Sequence, residues 1–84
     1  MKTMKIADSK LYTVEKALSY LKNIIYNLDN WKELTNFIPA TVQSYLEYKS
    51  AYAAFFVASL ELTKDGKILL KQSSNNSLEI IKNN

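Results

Sequence analysis

The sequence predicts an α+β fold, helices first and a β-hairpin last, on three observations. Apolar residues recur at helical spacing over 14–28 and again over 42–63. The only glycine, Gly66, follows Lys64 and Asp65 at the close of the second run, where a left-handed residue commonly ends a helix. Beyond it, 67–72 and 77–82 are two β-prone runs joined by Ser73-Ser-Asn-Asn76, a loop of turn formers. Eighty-four residues allow one compact unit and no second core. A hydrophobic fraction of 48% supplies that core without staples.

The first helix is expected over about 13–27. Val14, Ala17, Leu18, Leu21, Ile24, Ile25 and Leu28 form its apolar stripe, and Lys16, Lys22 and Asn23 fall off it. Thr13 can cap the start, Glu15 suits the first turn, and Asp29-Asn30 ends the run. A second, short helix is expected from Asn30 to about Asn36, because Asn30 can cap and Glu33 stands where a capping box places it. Pro39 disfavours helix at Ile38, so the chain turns there. The third and longest helix is expected over about 41–64, as one piece or as two meeting near Lys49. From Ala51 to Leu60 the chain is apolar on every side of the wheel, which implies contacts on two faces or an exposed stripe. In the hairpin, alternation sets Ile68, Leu70 and Gln72 on one face with Leu69 and Lys71 on the other; Leu78 and Ile80 oppose Glu79 and Ile81. Three helices closed by a hairpin is the order of a winged helix-turn-helix. The domain is expected at 13–82, with a flexible tail at 1–12 and a second at 83–84.

Composition narrows the chemistry. There is no Cys, His or Arg, which removes thiolate nucleophiles, imidazole bases, Cys or His metal sites and guanidinium clamps. The eight carboxylates are dispersed, no pair is spaced to focus on one site, and no Gly-rich phosphate loop occurs, so neither catalysis nor a cofactor is expected. The longest apolar run, 51–60, is half the length a membrane helix needs, and the first ten residues lack a signal-peptide apolar core. The expectation is a cytoplasmic, nucleoid-associated protein. Eleven lysines against eight acids give +3, a mild excess. The expected third helix shows Tyr, Ala and Phe between Lys49 and Lys64, where a major-groove reader wants Arg, Lys, Asn or Gln, so no sequence-specific nucleic-acid binding is expected. A DNA-binding winged helix, with Lys64, Lys67, Lys71 and Lys82 near phosphates, is the alternative.

The run from Tyr52 to Gln72, YAAFFVASLELTKDGKILLKQ, resembles the closing winged-helix domain of the bacterial kleisin family of segregation and condensation protein A. Phe56, Ala58, Leu60, Glu61, Leu62, Gly66, Ile68, Leu70 and Gln72 fit the family pattern. Trp31-Lys-Glu-Leu34 is similar to its entry to the second helix, and 14–28 to its first helix. The resemblance covers about 13–82. It departs after Gln72, where the family's aromatic-Gly-Asp lead is missing, and the chain reads as a fragment or remnant without the N-terminal half that grips an SMC neck. The resemblance implies a non-enzymatic module that docks on the ATPase head of an SMC protein in chromosome condensation and segregation. A second small condensin subunit (ScpB-like) is a further implied partner. Carried over residue by residue, the docking surface is Phe56, Leu60, Ile68, Leu70 and Gln72. The same apolar surplus could also pair two copies of the chain.

Overall fold

A computed structural model describes residues 12–84; of the tail expected over 1–12, residues 1–11 lie outside the described residues. The fold is α+β. Helix α1 spans Val14–Ile24 and tightens into a 3-10 turn, Ile25–Asn27; strand β1 is Lys32–Glu33, followed by a second 3-10 turn, Leu34–Phe37. The long helix α2 spans Tyr45–Lys64, and strands β2, Ile68–Gln72, and β3, Leu78–Lys82, complete the chain. The three strands form one antiparallel sheet in the order β1-β3-β2.

Helix α1 begins as its sequence dictates, with the Thr13 hydroxyl accepting from the Lys16 amide at 3.1 Å. The expected second helix is absent as an α-helix. Glu33 is extended at φ −68°, ψ 142°, so its carboxylate cannot close a capping box, and it accepts from the Thr35 hydroxyl at 3.4 Å instead. Between Asn30 and Pro39 there is room for barely two turns, too few to repay helix nucleation. Lys32 and Glu33 pair instead with Ile80 and Glu79, so β1 takes up the outer edge of β3.

Helix α2 is one continuous piece that starts four residues later than the spacing of apolar residues suggests. Ser44 accepts from the Glu47 amide at 3.1 Å, and the Glu47 carboxylate accepts from the Gln43 amide at 2.8 Å. This reciprocal cap is a Ser-x-x-Glu signal present in the sequence. The far end closes on Gly66, which sits at φ +77°. The Gly66 amide donates to Thr63 O and the Lys67 amide to Leu62 O, the paired bonds of a Schellman ending.

The core lies where α1, α2 and the inner sheet face meet: Ala17, Leu21, Leu34, Phe37, Ala54, Phe55, Ala58, Leu62, Ile68 and Ile80. Small residues on α2 admit α1 closely. Phe55, with no exposed surface, is the hub, meeting Tyr12 at 5.3 Å, Tyr20 at 5.9 Å and Phe37 at 6.1 Å between ring centroids. Tyr12 therefore belongs to the folded body and not to a tail: its amide donates to Ser50 Oγ at 3.0 Å and its carbonyl accepts from the same hydroxyl. Partial burial, and secondarily Tyr20, raise its phenol above the ordinary tyrosine pKa. At the other end β3 stops at Lys82, and just beyond it the Asn83 amide donates to Lys67 O and its side chain to Gly66 O.

Candidate docking surface

Registers across the sheet set which strand residues can meet a partner. Ile68 and Leu70 face Lys82 and Ile80 on the inner side, while Leu69 and Lys71 face Ile81 and Glu79 on the outer side. The bonds from the Asn83 amide to Lys67 O and from the Ser73 amide to Ser77 O bracket this ladder. By the two-residue alternation of antiparallel bonding, Leu69 and Lys71 bond inward to β3, and Ile68, Leu70 and Gln72 turn their backbone groups to the open edge. Ile68 is 1% exposed, however. On β2 the edge available for strand addition is therefore Leu70, half-buried, and Gln72, exposed.

The five residues implicated by family resemblance divide accordingly. Leu60 and Gln72 are exposed, and Phe56 and Leu70 are half-buried against the core. Ile68 is in the core and is corrected to a packing residue: its side chain is on the inner sheet face and the end of α2 closes over it, with Lys67 bonded to Leu62 O. Adjacent aromatics separate in the same way, since Phe55 is turned to α1 and Phe56 stands 100° round the helix.

Two apolar surfaces emerge that residue spacing alone did not assign. On α2, the face opposite the core carries Leu46 at 64% exposure and Val57 and Leu60 at 45% each, with Ala53 exposed between them. The other is the outer sheet face. Extending the β1 register by one residue places Trp31 beside Ile81 and Leu69, in a partly exposed row across all three strands. Lys71 reaches across this row, ion-paired to Glu79 at 3.7 Å with its ammonium 4.3 Å from the Trp31 ring centroid. Its stem covers part of the row, as long lysine stems do.

Among the described residues no three or more acidic side chains gather closely enough to hold a metal ion, and no helix is long and apolar enough to cross a membrane. Ser59 Oγ is the one buried side-chain polar atom among them without a hydrogen-bond partner; it faces the packed side of α2, away from the exposed stripe. Comparison with protein-family models, with curated proteins and with solved structures finds no match to this chain.

Proposed function

We propose that this chain is a non-enzymatic winged-helix module of the kleisin C-terminal kind, which docks on the ATPase head of an SMC protein and acts in chromosome condensation and segregation in the cytoplasm. In this reading the 3-10 turn Leu34–Phe37 stands for the middle helix, α2 is the third helix, and β2–β3 is the wing. The observation that carries the reading is the surplus on α2. Its packed face already fills the core with Ala51, Ala54, Phe55, Ala58 and Leu62, so Val57 and Leu60 on the opposite face contribute nothing to that packing and remain for a partner. Phe56, Leu60, Leu70 and Gln72 are the residues through which the head is held, with hydrogen bonding at the free β2 edge and apolar contact from α2.

The experiment is a titration of this chain against the SMC head encoded in the same genome, with duplex DNA in parallel at about 150 mM salt to suppress phosphate binding. Head binding that tolerates salt, without DNA binding, is expected. DNA binding alone would make the chain a nucleic-acid reader and overturn the proposal.

A further inference from the structure

We draw no further inference here: the strongest candidate, the exposed apolar stripe through Ala53, Val57 and Leu60 on the outer face of α2, carries nothing beyond the docking already proposed, because nothing in the structure shows what covers it.

Discussion

Adjacent phenylalanines on α2 offer the sharpest check on how the helix is turned. Phe55 has no exposed surface and touches three aromatic rings, so Phe55→Ala removes a full aromatic side chain and leaves a cavity between α1, α2 and Phe37. Substitutions of that kind cost about 3–5 kcal/mol. A chain of this length has on the order of 4–12 kcal/mol of stability in total, so the variant is expected to be largely unfolded or to lose most of its urea midpoint. Phe56 is half-buried at the edge of the core, and Phe56→Ala is expected to cost about 2 kcal/mol, roughly half the fully buried figure. Its urea midpoint falls while its m-value stays the same. Urea titrations of both variants, monitored by circular dichroism, measure the difference directly. If Phe56→Ala proves as costly as Phe55→Ala, α2 is rotated from the orientation described, and the exposed stripe built on Val57 and Leu60 disappears with it.

Leu60→Lys and Leu70→Lys are each expected to abolish head binding; for Leu60, which is 45% exposed, the melting temperature should stay within a degree or two, and an unchanged affinity would remove it from the docking surface. Leu21→Asp buries an unpaired carboxylate in α1 at a position 1% exposed and should unfold the domain; a melt matching wild type would refute the α1 register. Ser59→Ala removes a buried hydroxyl that lacks a partner and is expected to stabilise by about 1 kcal/mol, a rise of about 4–8 °C in Tm. A drop in Tm would mean that the hydroxyl is satisfied. Gly66→Ala meets no atom within 4 Å of the new Cβ, yet at φ +77° it should still cost about 1 kcal/mol from backbone strain alone; an unchanged urea midpoint would contradict the left-handed helix ending.

Much of this architecture could be read from residue patterns. Thr13, the α1 stripe and Gly66 lie where local chemistry puts them, because each depends on neighbours within about one helical turn, and the hairpin strands follow from alternation on either side of a turn-forming loop. Strand β1 could not be read in that way: two residues have no periodicity, and Lys32 and Glu33 are extended only because β3 offers them an edge. Asn30 and Glu33 spelled a capping box that tertiary pairing overrode. The start of α2 is a different case, since Ser44 and Glu47 carry the signal in plain form and the apolar Val42 drew the boundary outward. For the docking surface, uniform apolarity from Ala51 to Leu60 concealed which side was packed. Alternation grouped Ile68 with Leu70 and Gln72 correctly on one face, but only the closure of α2 over the start of β2 distinguishes the buried member of that row from the accessible ones.

The placement of lysines explains why a basic chain need not be a nucleic-acid reader. Lys22 lies in the last turn of α1 and Lys64 in the last turn of α2. Both helices end near the β3 terminus, where Lys22, Tyr26, Asp65 and Lys67 border one shallow concavity and Tyr26, Lys67, Lys82 and Asn83 border another. Each helix C-terminus presents about half a negative charge through its unpaired carbonyls. Lys82 shows how this is met: its ammonium donates to Tyr26 O at 3.3 Å and pairs with Asp29 at 3.1 Å. At this end Lys82 is thus paired with Asp29, and Lys22 and Lys64 lie in the last turns of their helices, where the dipole favours a cation. Lys71 is likewise occupied, by Glu79 and the Trp31 ring. Residues 12–84 carry eight lysines against seven carboxylates, so little cationic excess remains on the described surface, and in the proposed reading the apolar stripe through Ala53, Val57 and Leu60 is what that surface offers to a protein partner.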